Sequence, residues 1–235
     1  MKKIFYSILI FLLILLNFST VCADDVDNEV DFEDTIEVTA SNVSELPKTN
    51  SRRYIVYDRI SKSMIIGKNE DVKSAMASTT KIMTTIVILE KADLNEKVTV
   101  SAKAGGTGGS RLGLKRGDKT SVRDLLYGLM LRSGNDAAVA LAEHVGGSVK
   151  GFAELMNEKA IELGLTNTHF VTPHGLDDAN HYTTALELAK LTDYAMDNET
   201  FAKIVGTKST TIYINNQSRQ INNTNELLGV LNGVV

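Results

Sequence analysis

Cysteine occurs once in the 235 residues, at Cys22, and proline only twice. A lone cysteine excludes a disulfide scaffold, and with 17 glycines the chain is neither collagen-like nor low-complexity. Long apolar runs are equally scarce. Only Ile4 to Phe18, broken at Ser7 and Asn17, is apolar enough to concern a membrane, which excludes a polytopic membrane protein. No internal repeat is present. What remains is a chain 43% hydrophobic and 23% charged, long enough for one domain with a sizeable core plus appendages.

Residues 1–23 read as a secretory signal peptide. Lys2 and Lys3 form the positive end, the apolar run follows, and Val21-Cys22-Ala23 offers small residues for cleavage ahead of Asp24 and Asp25. The run is short for an uncleaved anchor. Bulky Val21 argues against lipidation of Cys22. Cleavage after Ala23 removes the only cysteine, and with it any thiol nucleophile or thiolate metal site in the exported form. It also exposes an uneven charge distribution. Eight acids between Asp24 and Glu37 have no base among them, and Glu45 follows. From Lys48 onward 23 bases face 20 acids. Residues 24–52 therefore read as an acidic, disordered leader and residues 53–235 as a mildly basic domain, too weakly charged to argue for nucleic acid.

The β-branched and aromatic runs Arg53–Asp58 and Ser63–Gly67, separated by polar residues, predict a hairpin. Ser78–Glu90, apolar almost all round at Met83, Ile86, Val87 and Leu89, predicts a buried helix. Lys97–Val100 is a short strand candidate and Gly105–Gly109 a flexible loop, without the Lys-Ser/Thr pair of a phosphate loop. Further helices are expected from Ser121, from Asp136 to His144, from Phe152 to Leu163 and from Tyr182 to Met196, with a strand at Thr210–Ile214. Two strands, a long helical middle and a return to β indicate an α+β domain.

Without a thiol, the nucleophile must be a serine, threonine or carboxylate. Ser78 and Lys81 lie three residues apart, so on a helix the amine reaches the hydroxyl. Burial among Ile82 and Met83 lowers an amine's pKa and makes it a base. The plain alternative is an N-cap serine beside a surface lysine. Ser133-Gly-Asn135 lies between two helices. It is either a stop and start, with Gly134 as C-cap and Asn135 capping the next helix, or a second hydroxyl and an amide facing Ser78. In the second case Ser133 relays a proton while Asn135 holds Lys81 and a substrate amide. His169, His174 and His181 accompany Asp177 and Asp178 in a loop-rich stretch, but their spacing matches no zinc signature, so no metal and no cofactor is expected. His144 reads as a helix C-terminal residue.

From about Tyr54 onward the sequence resembles the penicillin-binding D-alanyl-D-alanine carboxypeptidases. The resemblance is carried in order by Ala77-Ser-Thr-Thr-Lys81, Asp124-Leu-Leu-Tyr-Gly-Leu-Met-Leu131, Ser133-Gly-Asn-Asp-Ala-Ala138, Leu141-Ala-Glu-His144, Asn167-Thr-His-Phe170, Pro173-His-Gly-Leu-Asp177, His181-Tyr-Thr-Thr184 and Asn223-Thr-Asn225. It implies the fold shared by β-lactamases and DD-peptidases, an antiparallel sheet beside a helical subdomain. It also implies that Ser78 is the acylated nucleophile, Lys81 its base, and Ser133 and Asn135 a catalytic and substrate-binding second motif. The implied substrate is a peptidoglycan stem peptide ending in D-Ala-D-Ala, with β-lactams as covalent inhibitors, at the extracytoplasmic face of the envelope. Penicillinases of this fold usually carry Ser-Asp-Asn in place of Ser133-Gly-Asn135, which favours the peptidase.

The resemblance also implies a third motif, Lys-Thr-Gly, that binds the substrate carboxylate and supplies one oxyanion donor. No Lys-Thr-Gly occurs in the 235 residues, and by resemblance it falls after Val235. Three sheet strands and a covering helix are expected beyond the same point. The residues given are therefore expected to fold poorly, with an open edge and bare apolar face on the first hairpin, and to act slowly or not at all. The alternatives are a non-catalytic wall-binding remnant or a penicillinase of the same fold. No membrane anchor is visible in these residues.

Overall fold

The first two β-branched runs pair as expected. Strands β1 (Tyr54–Asp58) and β2 (Ser63–Lys68) form an antiparallel hairpin from Tyr54↔Lys68 to Asp58↔Ser63, with a bulge at Val56/Tyr57. Asp58 closes the turn by accepting hydrogen bonds from the Ile60 and Ser61 amides and the Ser61 hydroxyl. This is a computed structural model that describes residues 49–176 and 178–234. The expected signal peptide, all but the last residues of the expected leader, and Asp177 lie outside the described residues. Asn50–Val235 forms one compact unit.

Helix α1 (Lys81–Lys91) runs through the core, with Met83, Ile86, Val87 and Ile88 buried. A 3₁₀ turn, Ala77–Thr80, leads into it, so the helix begins three residues later than the sequence suggests and Ser78 stands before it. Around α1 pack α3 (Val122–Arg132), α4 (Asn135–Gly146), α5 (Val149–Glu162) and α6 (Ala185–Met196). Helix α4 is built of small residues, and Ala137, Ala138, Ala140 and Ala142 are all buried, which lets its neighbours approach closely. Its N-terminal residues, among them Asn135, are thereby carried into the interior.

Local hydrogen bonding explains the departures from expectation. Ser101 caps a short helix α2 (Ala102–Gly106), which takes the first two glycines of the loop expected at Gly105–Gly109 and leaves Thr107–Gly109 outside it. Helix α6 starts at Ala185 and not at Tyr182, because Thr184 caps it and because Tyr182 and Thr183 bridge to His169 and Ser74. Asn198 caps helix α7 (Glu199–Val205), which the apolar pattern did not reveal. The strand expected near Thr210 belongs to a four-stranded antiparallel sheet ordered β3 (Lys97–Thr99), β4 (Lys119–Ser121), β5 (Ser209–Ile214) and β6 (Gln217–Asn222). Asn215 and Asn216, both at positive φ, turn β5 into β6.

The hairpin is tied to α6 by Arg59 and Lys62, which donate to Asp193 at 2.8 and 2.7 Å, while Val56, Met64 and Ile65 stay exposed. The α+β class expected from the sequence is the class observed.

One glycine controls the approach to the 3₁₀ turn. Gly175 has φ +85°, and a Cβ there would lie 1.8 Å from the Ala77 carbonyl oxygen. Backbone oxygen cannot yield as a side chain can. Gly175→Ala is expected to lower unfolding free energy in urea by more than about 3 kcal/mol. A loss below about 1 kcal/mol would show that the turn relaxes freely.

Candidate active site

Ser78 is exposed in the 3₁₀ turn, and Lys81 lies beneath it with 2% of its surface accessible. The plain alternative of a capping serine beside a surface lysine therefore fails. The residue at the N-cap of α1 is Thr80, with no side-chain capping bond. The Lys81 ammonium donates to Ser78 Oγ at 3.1 Å and to the His174 carbonyl at 3.0 Å. Burial pulls its pKa down from the ordinary lysine range to about 8. Ser133 Oγ donates to Ser78 Oγ at 3.1 Å, although the two residues are 55 positions apart. One hydroxyl thus stands within hydrogen-bond reach of an amine and of a second hydroxyl.

The Ser133-Gly-Asn135 turn differs from the capping pattern considered from sequence. Ser133, not Gly134, is the left-handed C-cap of α3, with φ +53°, and Gly134 is the N-cap of α4. A serine held in a region that L-residues visit at a cost is a strained element at the point of chemistry. Asn135 is buried, and its Nδ2 donates to the Gly108 carbonyl at 2.9 Å. Its Oδ1 has no hydrogen-bond partner, so the expected bond from Lys81 is not made, and Lys81 is held by Ser78 and His174.

Each histidine bonds another segment of the chain or its own loop, and only His174 and His181 are buried. His174 is buried, its Nδ1 accepts from the Leu176 amide, and its pKa falls to about 4 through burial first and then through the neighbouring Lys81 charge. It is neutral at pH 7. His181 Nδ1 accepts from the Val171 amide, and His169 Nδ1 bonds the Asn180 carbonyl. His144, near the end of α4, pairs with Glu96 at 2.8 Å.

Sequence reasoning missed Asp136. Fully buried, it accepts from the amides of Leu112, Gly113 and Leu114 at 2.7–2.9 Å and fixes the loop that walls the site beside Asn135. The Asn135 amide donates to the Ser110 carbonyl of the same loop. An aspartate in the first turn of a helix looks like ordinary dipole compensation. Its partners, 22 to 24 residues away, leave no local signal.

A peptidase family described as D-alanyl-D-alanine carboxypeptidase matches residues 39–234. The chain belongs to this family. Among curated relatives, the D-alanyl-D-alanine carboxypeptidase DacF of Bacillus subtilis is 36% identical over 186 residues, 77% of this chain and 48% of that protein. Among solved structures, a D-alanyl-D-alanine carboxypeptidase from Mycobacterium tuberculosis superposes with TM-score 0.75 and 35% identity, covering 79% of this chain and 70% of that one. Penicillin-binding protein 6B from Escherichia coli gives TM-score 0.70 and 34% identity, covering 78% and 61%. The chain spans 48, 41 and 38% of the length of three of the curated relatives it matches, and 64 and 63% of two others.

In this carboxypeptidase-family chain, Asp136→Ala removes the acceptor for three loop amides and for the Ala137 amide, of which those of Leu112, Leu114 and Ala137 belong to buried residues. Urea unfolding is expected to show a loss of about 3–5 kcal/mol. A loss below about 1 kcal/mol would mean that water serves the amides equally well.

Proposed function

We propose that the site performs serine-type D-Ala-D-Ala carboxypeptidase chemistry, with Ser78 as nucleophile and Lys81 as its base. The observation that carries this reading is the contact of Ser78 Oγ with both the desolvated Lys81 amine and Ser133 Oγ, each at 3.1 Å. Once deprotonated, Lys81 keeps an N–H on the His174 carbonyl and turns its lone pair to the Ser78 proton. Ser78 Oγ attacks the carbonyl carbon of the scissile D-Ala-D-Ala bond, and its proton passes to Lys81. Lys81, directly or through Ser133, protonates the leaving amine as the C–N bond breaks, and the terminal D-Ala departs. Water then attacks the acyl-Ser78 ester with the same base, releasing the shortened peptide. Asn135 Oδ1 is buried and unpartnered, and we assign it the role of accepting a peptide N–H once the Gly108 loop yields to the substrate.

A β-lactam follows the first half of this path. Its ring opens on Ser78 and leaves a covalent ester. We place the reaction on the extracytoplasmic side, on the signal-peptide pattern of residues 1–23. Among the described residues no helix is long and apolar enough to cross a membrane. The family pattern assigns one oxyanion donor to a Lys-Thr-Gly strand. Since that motif does not occur within these residues, acylation by them alone is expected to be roughly 10²–10³ slower than in a complete site.

Fluorescent penicillin given long incubation with the purified chain tests the assignment. The expected result is a slow adduct on the peptide containing Ser78, absent in Ser78→Ala. Only the neutral amine is a base. The rate should therefore rise about tenfold per pH unit below the Lys81 pKa of about 8 and level off above it. An adduct that persists in Ser78→Ala, a folded chain that stays unlabelled, or a flat profile across pH 6–9 would contradict the proposal.

A further inference from the structure

The turn that presents Ser78 is held from outside by a side-chain relay. The Val171 amide donates to His181 Nδ1 at 2.9 Å. That nitrogen is therefore unprotonated, and the proton of the neutral ring sits on Nε2. Nε2 lies 2.7 Å from Thr80 Oγ1, and Thr80 Oγ1 lies 2.8 Å from the Ala77 carbonyl. The carbonyl can only accept, so the Thr80 proton points to Ala77 and its oxygen accepts from His181. The order is Val171 N–H to His181, His181 Nε2–H to Thr80, Thr80 O–H to Ala77 C=O.

Its end point is the residue before Ser78. Ala77 has φ +46°, a left-handed conformation that alanine adopts only under constraint. On the other side Gly175 closes to a distance that excludes any Cβ. His181 is 2% exposed and Thr80 fully buried, and Phe170 packs edge-on against the imidazole at 5.8 Å between ring centres. Neither residue touches Ser78 Oγ or Lys81 Nζ by any hydrogen bond described above.

We infer that His181 and Thr80 are positioning residues that hold Ala77 in its strained conformation and so aim Ser78 Oγ between Lys81 and Ser133. The inference rests on Ser78 being the acylated nucleophile. Loss of aim slows the step in which Ser78 attacks and leaves prior binding of the acylating agent unchanged.

The experiment measures the limiting rate and half-saturating concentration of penicillin acylation in the full 235-residue chain, well below the melting temperature of each variant. Thr80→Val keeps the shape and removes the hydroxyl. His181→Phe keeps a ring and removes both nitrogens. His181→Gln restores a donor at the depth of Nε2. The expected outcome is a limiting rate roughly 10- to 100-fold lower in Thr80→Val and His181→Phe, with half-saturation unchanged. Most of the rate should return in His181→Gln, and the double variant Thr80→Val/His181→Phe should be no slower than the worse single one. A role confined to stability would lower the melting temperature and leave the rate of the folded protein untouched. Should folded Thr80→Val acylate at the unaltered rate, the positioning role is wrong while the assignment of Ser78 stands. If the unaltered folded chain is never labelled at Ser78, the functional reading fails and the inference falls with it.

Discussion

Removing the Lys81 amine from water is the constraint on which the site depends. A solvated lysine is almost wholly protonated at neutral pH and has no lone pair to offer. Burying Lys81 at the start of a core helix penalises the charged form, and the His174 carbonyl and Ser78 hydroxyl give it partners without a countercharge. A carboxylate in that place would have restored the ammonium. With its pKa near 8, about a tenth of the amine is free at pH 7. The neighbouring His174 ring, itself kept neutral by burial and by Lys81, adds no charge of either sign.

The rest of the fold brings two distant segments, around Ser133 and His174, to the Ser78–Lys81 pair. Two non-glycine residues at positive φ adjoin Ser78: Ala77 precedes it in the chain and Ser133 donates to its hydroxyl. Each is overdetermined. Ala77 is fixed by Thr80 and by the close approach of Gly175, and Ser133 by the passage from α3 into the buried, alanine-rich α4. Asp136, one residue past Asn135, gathers three amides of the wall loop, so one helix start sets both the second motif and the side of the cleft.

What the sequence made legible was what is local. The hairpin followed from β-branched runs, α1 from an apolar stretch too long for a strand, α3 from Ser121, and the Ser78–Lys81 pair from three-residue spacing. The elements missed or misplaced were decided by contacts distant in sequence or by short polar caps. Strand β6 is exposed and polar except at Ile221, so only its pairing with β5 reveals it. Tyr182 and Thr183 have helix-compatible neighbours but are taken by His169 and Ser74. Ser133 facing Ser78 was one of two readings of its motif, yet its left-handed backbone was assigned to Gly134, because glycine is the usual occupant of such a position. The roles of Asp136, Thr80 and His181 had no signature in the sequence, since each is defined by a partner between 10 and 101 residues away.

The central claim is therefore about one proton. Nitrogen NMR of the chain labelled at lysine Nζ, with the Lys81 resonance assigned by its absence in Lys81→Arg, reads that proton directly. The account predicts a titration midpoint at about 8, separate from the exposed lysines. A Lys81 midpoint within the ordinary lysine range would show the amine to be solvated and charged, and would remove the base on which the whole mechanism stands.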